Sequence, residues 1–283
     1  RIPLQSGGYM QKKCLSDLTI KNNFMFGAVM INPENCRGLL ERVLDMEIDH
    51  VEVSREKSMV YHPEYKGVRL DVYTRDENNT CYNVEMQVVK KPELGKRSRY
   101  YQSQMDMELL LAGQSYEELP DTYVIFICDF DPFGEKKDRY TFQAECKESE
   151  TTKLKDGRTL VFLSTCGENE KEVSRELAAF LKFVKADLKQ SQEDFHDPYV
   201  RQLQNFIRDI KGNREMEERF MILEEMLRDE RNEGIKEGIK EGMEKGIIKM
   251  VTAMRKKGLS EEKIMELCDI SEEEMNKYKE TEN

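Results

Sequence analysis

The sequence predicts an α/β fold with an all-helical C-terminal extension. Two segments of strand composition, 67–75 and 81–89, flank a turn-forming cluster and predict a β-hairpin. A continuous apolar run at 123–128 has the length of a strand that is covered on both faces. Beyond residue 198 the chain reads as almost wholly helical.

The remaining elements follow from the spacing of apolar residues along the chain. Two helical segments are expected between residues 17 and 44, with an interruption near Asn32 and Pro33. Further helices are expected at 94–113, with Gly113 as the C-cap, and at 170–188. The other strands are expected at 48–56, 140–145 and 159–163. The predicted core order is therefore a helix, a three-strand meander, a helix and a strand.

The predicted hairpin has one apolar face and one polar face, because successive side chains of a strand point to opposite faces. If Arg75 pairs with Cys81, Asp71 lies directly opposite Glu85, with about 4.5–5.5 Å between the Cβ atoms. Carboxylates so close repel each other unless one takes up a proton or a cation neutralises both. Gln87 points the same way as Glu85. The pattern predicts a site for Mg²⁺; a solvated surface face is the alternative interpretation.

Charge is distributed unevenly along the chain. The 283 residues carry a net charge of -11, which excludes a protein coated with positive charge for nonspecific nucleic-acid binding. Residues 89–101, however, contain five Lys or Arg residues against one Glu. In this part of the chain, acidic residues are followed directly by the basic N-terminal turn of a predicted helix. This order of charges suits phosphodiester chemistry.

Composition also limits where the protein is expected. No apolar run approaches the ~18–20 residues of a membrane span, and no signal peptide is visible, so a cytoplasmic location is expected. The seven cysteines are scattered and include no CxxC pair, which argues against a disulfide framework or a zinc knuckle. Residues 1–16 are expected to be a leader or an expression scar, followed by domains at 17–190 and 198–283.

The predicted extension contains a glycine every four residues, at positions 234, 238, 242 and 246. These glycines form a stripe that drifts slowly around a helix and permits close approach of another helix. The stripe predicts a homo-oligomer through this helix; a weak, solvated helix is the alternative. Residues 257–278 resemble a small helix-turn-helix, but Glu272, Glu273 and Glu274 would repel phosphates and favour an interaction role.

Several segments together resemble the recombination-promoting nuclease/putative transposase family of the PD-(D/E)xK nuclease superfamily. They are LDVYTRDENNTCYNVEMQ at 70–87, RSRYYQSQ at 97–104, YVIFICDFDPFG at 123–134 and the Gly-every-four repeat. The resemblance covers nearly the whole chain from about Asp17. It implies a restriction-endonuclease-like core and metal-dependent cleavage of DNA.

The resemblance also implies a catalytic set. The superfamily's aspartate on the second strand falls on Asp71, its acid on the third strand falls on Glu85, and the lysine two residues later is here Gln87. Asp71 and Glu85 are the expected metal ligands, with Mg²⁺ as cofactor, Mn²⁺ as its substitute and no organic cofactor. The expected DNA or phosphate contacts are Lys90, Lys96, Arg97, Arg99, Tyr100 and Tyr101.

Three possible accessory positions, Asp17, Asn23 and Glu41, and two departures from the family pattern, at Asn23 and Gly27, complete the prediction. Asp17 and Glu41 lie on or beside early helices, where the superfamily sometimes places a further acid. The family often has an aspartate where this chain has Asn23 and a lysine where it has Gly27. After the apolar run, Asp129 and Asp131 are expected to serve local hydrogen bonding in a turn.

The sequence therefore predicts a metal-dependent DNA endonuclease associated with recombination or transposition. The alternative is a catalytically weakened nuclease fold that acts as a DNA-binding or oligomeric assembly module. Metal binding distinguishes the two, because a weakened site gains no stability from Mg²⁺ or Mn²⁺.

Overall fold

The structure is a computed structural model that describes residues 13–59 and 68–280. Most of the predicted leader, residue 67 of the predicted hairpin and the last three residues of the predicted extension lie outside the described residues. The chain forms two compact units, 1–218 and 219–283.

The first unit is built around one mixed β-sheet. Its strands are β1 (Val51–Met59), β2 (Val68–Asp76), β3 (Cys81–Gln87), β4 (Thr122–Cys128), β5 (Arg139–Phe142) and β6 (Arg158–Ser164). Their spatial order is β1-β2-β3-β4-β6-β5, with parallel pairing in β3–β4 and β4–β6 and antiparallel pairing elsewhere. Helices accompany this sheet, which confirms the predicted α/β class.

Within the described part of the first unit, four of the five complete α-helices begin after a residue whose side chain caps the helix. These five helices are α1 (Asn23–Met30), α2 (Pro33–Leu44), α3 (Leu94–Leu109), α4 (Arg175–Lys185) and α5 (Pro198–Lys211). The Asn32 side chain accepts hydrogen bonds from the amides of Glu34 and Asn35, and Pro33 occupies the first turn of α2. The predicted interruption near Asn32 and Pro33 is therefore the start of α2.

Two predicted helices are shorter than expected: the helix predicted at 170–188 spans only Arg175–Lys185, and the predicted end of the 94–113 helix was wrong. The α3 helix ends at Leu109, and Leu110 already has an extended backbone with φ -118° and ψ 112°. Gly113, the predicted C-cap, lies in the following turn with φ +90°. Leu109 is the last helical residue, whereas Leu110 and Leu111 follow the helix, so the apolar run continues past the helix end.

The β2–β3 hairpin is fixed by its turn. Asp76 Oδ1 accepts hydrogen bonds from the amides of Asn78 and Thr80, both at 2.9 Å, and Asp76 Oδ2 accepts one from the Tyr82 hydroxyl at 2.6 Å. Asn79 adopts φ +67°, a left-handed conformation that asparagine tolerates well. The turn therefore sets the register of the strands that follow it.

The polar face of β3 is not a solvated surface. Every residue of β3 is buried, and β3 pairs with β4 so that Glu85 lies beside Phe126. On this face α3 covers the sheet, because Tyr101 and Met105 belong to the same buried cluster as Phe126 and Phe162. The alternative of a solvated hairpin face is therefore wrong.

Helix α5 packs within the first unit. The Tyr199 hydroxyl donates a hydrogen bond of 2.6 Å to the Asn35 carbonyl, and the Arg42 guanidinium lies 4.1 Å from the centre of the Tyr199 ring. The Gln202 amide donates to Asn35 Oδ1 at 2.8 Å. The domain limits 17–190 and 198–283 stay a prediction.

The second unit is helical throughout its described part. Its elements are most of α6 (Arg214–Lys256), followed by α7 (Glu261–Cys268) and α8 (Glu272–Glu280). The Ser260 and Ser271 side chains accept hydrogen bonds from the amides of Lys263 and Glu274, as expected of helix caps. A small apolar cluster joins Val251, Ile264, Ile270 and Met275.

Within residues 13–59 and 68–280, every helix is too short or too polar to cross a lipid bilayer.

Candidate active site

Asp71 and Glu85 face each other on neighbouring strands. The β2–β3 ladder pairs Arg75 with Cys81 and Val72 with Val84, so the next opposed positions are Asp71 and Glu85. The Asp71 amide donates a hydrogen bond of 3.0 Å to Glu85 Oε1. Conversely, the Met86 amide donates one of 3.2 Å to Asp71 Oδ2. Each carboxylate is therefore held by the backbone of the opposite strand.

The two carboxyl groups have different environments. Glu85 is completely buried, whereas Asp71 is half-buried. Burial raises the pKa of the Glu85 carboxyl to about 8, and the charge of Asp71 acts in the same direction. The Asp71 amide and the Arg97 guanidinium oppose this rise in pKa. Any additional positive charge near Glu85 would therefore stabilise the ionised form of its carboxyl group.

Arg97 supplies a positive charge from the first turn of α3. Its Nη2 lies 3.0 Å from Glu85 Oε2, and its Nη1 donates a hydrogen bond of 2.9 Å to Gln87 Oε1. Its Nε donates to the Tyr101 hydroxyl at 2.8 Å. The guanidinium also lies 4.8 Å from the centre of the Tyr101 ring. Arg97 thus brings a cation to Gln87, the position where the resemblance implies a lysine.

The predicted phosphate contacts fall into three groups. Lys96 and Arg99 are exposed on α3, and Tyr100 is half-buried. The Lys90 ammonium donates to the Asp131 carbonyl at 2.9 Å. Direct phosphate contact does not fit Tyr101, which is buried and accepts a hydrogen bond from Arg97. Tyr101 instead holds Arg97 in place.

The accessory residues are engaged in their own segments. The Asp17 carboxylate accepts a hydrogen bond of 3.1 Å from the Cys14 amide. Glu41 forms an ion pair of 2.8 Å with Arg37 and accepts a hydrogen bond from the Ile48 amide. Asn23 is exposed at the start of α1. Their predicted accessory role stays a prediction.

A second polar cluster lies where β4 ends. Lys21 Nζ lies 2.9 Å from Asp129 Oδ2, and the Thr165 hydroxyl donates to Asp129 Oδ1 at 3.0 Å. The Asp129 amide continues the ladder to Gln87 by donating to its carbonyl at 2.9 Å. Lys21 could not be predicted as part of this cluster, because 108 positions separate it from Asp129 and no local pattern in the sequence links the two.

Asn83 is a further residue of the polar face that the sequence analysis did not assign to the site. Strand alternation places it on the same face as Glu85, and its side chain is completely buried. Its side chain lies close enough to Glu85 to lower the pKa of that carboxyl group. A buried amide beside a buried carboxyl group marks a polar pocket rather than ordinary core.

The donor set fits a divalent cation that keeps several water ligands. The described residues contain no group of three or more His, Cys, Asp or Glu side chains that could hold a metal ion. Two carboxylates, from Asp71 and Glu85, and the amide oxygen of Gln87 form a sparse set of hard oxygen donors, which is typical of Mg²⁺ sites. A cation here also offsets the burial and the Asp71 charge that together raise the pKa of the Glu85 carboxyl group. The residues present therefore fit such an ion.

Comparison with known proteins assigns the chain to a family. Searches of curated proteins and of solved structures found no match. The family model of the PD-(D/E)XK nuclease family transposases matches residues 20–238, which is well over half of the chain. Nucleases of this superfamily generally use divalent metal ions. The fold with its opposed acids agrees with this match, and the chain belongs to the PD-(D/E)XK nuclease family transposases.

Proposed function

We propose that the protein is a metal-dependent DNA endonuclease whose centre is the Asp71–Glu85 pair. Family membership gives it a nuclease- or transposase-related function. The observation that favours this centre is the opposition of two carboxylates on β2 and β3, with Glu85 completely buried. A protein that only needed a stable hairpin would gain nothing from this repulsive arrangement.

The proposed ligands of the metal are the Asp71 and Glu85 carboxylates. A bound Mg²⁺ or Mn²⁺ supplies a more acidic water and stabilises charge on the phosphate. The Asp71 and Met86 amides orient the carboxylates, since each donates to one of them. Gln87 cannot accept a proton as a base, so its part is to orient water or a phosphate oxygen.

Positive charge at the site comes from α3. Arg97 lies against Glu85 and Gln87, and its planar guanidinium suits bidentate contact with a phosphate. Lys96 and Arg99 are exposed on the same helix and are placed to attract the DNA backbone. The N-terminus of α3 adds its partial positive charge in the same region.

The biological setting and the assembly are also proposals. A role in recombination or transposition rests on the family. Homo-oligomerisation is supported by Ile235, Ile239 and Met243, which form an exposed apolar row at four-residue spacing on α6. A second copy with the same row can cover these side chains.

The competing function is a noncatalytic DNA-binding or assembly module. It is favoured by the Arg97–Glu85 ion pair, since a decayed site stabilised by its own guanidinium would have this geometry. The chain also has Asn23 and Gly27 where the family often has an aspartate and a lysine.

Nicking of covalently closed plasmid DNA tests the proposal. A closed circle has no ends, so its cleavage reports endonuclease activity alone. We expect nicking in Mg²⁺ or Mn²⁺ and none in chelator. DNA binding without nicking in any of these conditions would favour the noncatalytic module.

A further inference from the structure

Arg97 binds the Glu85 side of the site through all three of its guanidinium nitrogen atoms. Its Nε, Nη1 and Nη2 atoms donate to Tyr101, Gln87 and Glu85 at 2.8, 2.9 and 3.0 Å, respectively. The Arg97 side chain is 24% exposed, whereas that of Glu85 is 1% exposed. The guanidinium therefore lies between the buried carboxylate and solvent.

Arg97 binds Glu85 Oε2, an oxygen atom that a metal ion at this site would also need. Mg²⁺ binds oxygen at about 2.0–2.1 Å, so an ion on Glu85 Oε2 would lie within about 5 Å of the guanidinium. Two cations at that separation repel each other strongly where water is scarce. Glu85 Oε1 is already bound by the Asp71 amide. A divalent ion and Arg97 therefore compete for Glu85.

A DNA phosphate offers Arg97 an alternative partner. The guanidinium can turn toward solvent from its half-open position and bind two phosphate oxygens, a pairing that arginine makes well. Lys96 and Arg99 are exposed on the same helix and add positive charge that attracts a phosphate to this region. When Arg97 moves to the phosphate, Glu85 Oε2 becomes available to a cation.

We propose that Arg97 couples metal binding to DNA binding by holding Glu85 until a phosphate takes its place. This inference rests on the proposed function and adds regulation to the same site. The free protein binds divalent metal weakly, and DNA raises the affinity for metal. Because coupling between two ligands is reciprocal, metal also raises the affinity for DNA.

The first test is Mn²⁺ binding to the DNA-free protein, followed by electron paramagnetic resonance. Removing the competing guanidinium in Arg97→Gln is expected to tighten Mn²⁺ binding by at least about fivefold, the lower end of typical couplings. Arg97→Lys keeps the positive charge but loses the planar guanidinium with its several donors, so an intermediate affinity for Mn²⁺ is expected. Arg175→Gln is the matched control, because Arg175 is exposed at the start of α4.

The second test measures the reverse direction of the coupling. Fluorescence anisotropy gives the affinity for a nuclease-resistant phosphorothioate duplex at constant ionic strength, with Mn²⁺ or with chelator. Mn²⁺ is expected to tighten DNA binding by unaltered protein and to have little effect on Arg97→Gln.

Two outcomes overturn the inference in distinguishable ways. If the unaltered protein binds Mn²⁺ and folded Arg97→Gln and Arg97→Lys both bind it no more tightly, the coupling is refuted while the nuclease proposal stands. If the unaltered protein binds no Mn²⁺ with or without DNA, the coupling and the metal-dependent function fail together. Circular dichroism checks that each variant is folded.

Discussion

The main-chain amide of Asp71 donates a hydrogen bond of 3.0 Å to the Oε1 atom of Glu85. The Met86 amide donates a hydrogen bond to Asp71 Oδ2 in return. Where the β2–β3 ladder ends, carboxylate side chains therefore accept the hydrogen bonds of the backbone amides. This exchange depends on register, because a shift of one residue would send the two acids to opposite faces. The geometry of the proposed site is therefore a consequence of how the hairpin is paired.

Asp76 is expected to determine that pairing. Its carboxylate accepts two backbone hydrogen bonds in the turn and a third from the Tyr82 hydroxyl. Asp76→Ala should lower the free energy of unfolding by about 2–4 kcal/mol, since it leaves these donors unpaired. Urea denaturation measures the change. Asn78→Ala is the control, because only the Asn78 backbone contacts Asp76, and an equal loss in both variants would contradict the assigned role.

The raised pKa of Glu85 predicts an unusual pH dependence of stability. Between about pH 5 and 8 the Glu85 carboxyl group has lost its proton in the unfolded chain and keeps it to a greater extent in the folded protein. Unfolding then releases a proton, so the contribution of Glu85 to the free energy of unfolding falls as pH rises and levels off above about 8. Denaturation in chelator at several pH values should show this fall in unaltered protein and its loss in Glu85→Gln. Parallel curves for the two proteins would contradict the prediction.

Gly38 permits the close approach of α2 and α5. A Cβ atom at this position would lie 2.7 Å from Tyr199 Cε2, well inside contact distance. Gly38→Ala should therefore lower the free energy of unfolding by about 1–3 kcal/mol, despite the better helix propensity of alanine. In α3, Gly95→Ala meets nothing within 4 Å and should be neutral or stabilising. Thermal denaturation of both variants checks the contrast, which a stabilised Gly38→Ala would refute.

Tyr101 is expected to act on the site through Arg97. Tyr101→Phe keeps the buried ring and removes the hydroxyl that accepts the Arg97 Nε hydrogen bond. Cleavage should fall by about 10-fold to 100-fold, the usual cost of a supporting residue around a metal site. Plasmid nicking rates measure this effect, and circular dichroism shows whether the fold is retained. An unchanged rate in a folded variant would show that Arg97 does not need this support.

Local patterns in the sequence predict the hairpin well and its surroundings poorly. Alternation and the turn cluster led to the Arg75–Cys81 pairing that the structure has, because both strands and the turn lie within one short segment. Burial of the polar face under α3 has no such signal, since a helix packed on a sheet is a non-local contact. The contacts between Lys21 and Asp129 and between Asn35 and Tyr199 are also non-local, so the sequence does not predict them.

The central claim is that Asp71 and Glu85 form the cation-dependent centre of a nuclease. The most direct measurement compares nicking of closed plasmid by unaltered protein, Asp71→Asn and Glu85→Gln, each with Mg²⁺, Mn²⁺ or chelator. Glu93→Gln is the control, because Glu93 is exposed just before α3. We predict metal-dependent nicking by unaltered protein and by the control, and a loss of at least about 100-fold in both site variants. Undiminished metal-dependent nicking by folded Asp71→Asn and Glu85→Gln would contradict the claim.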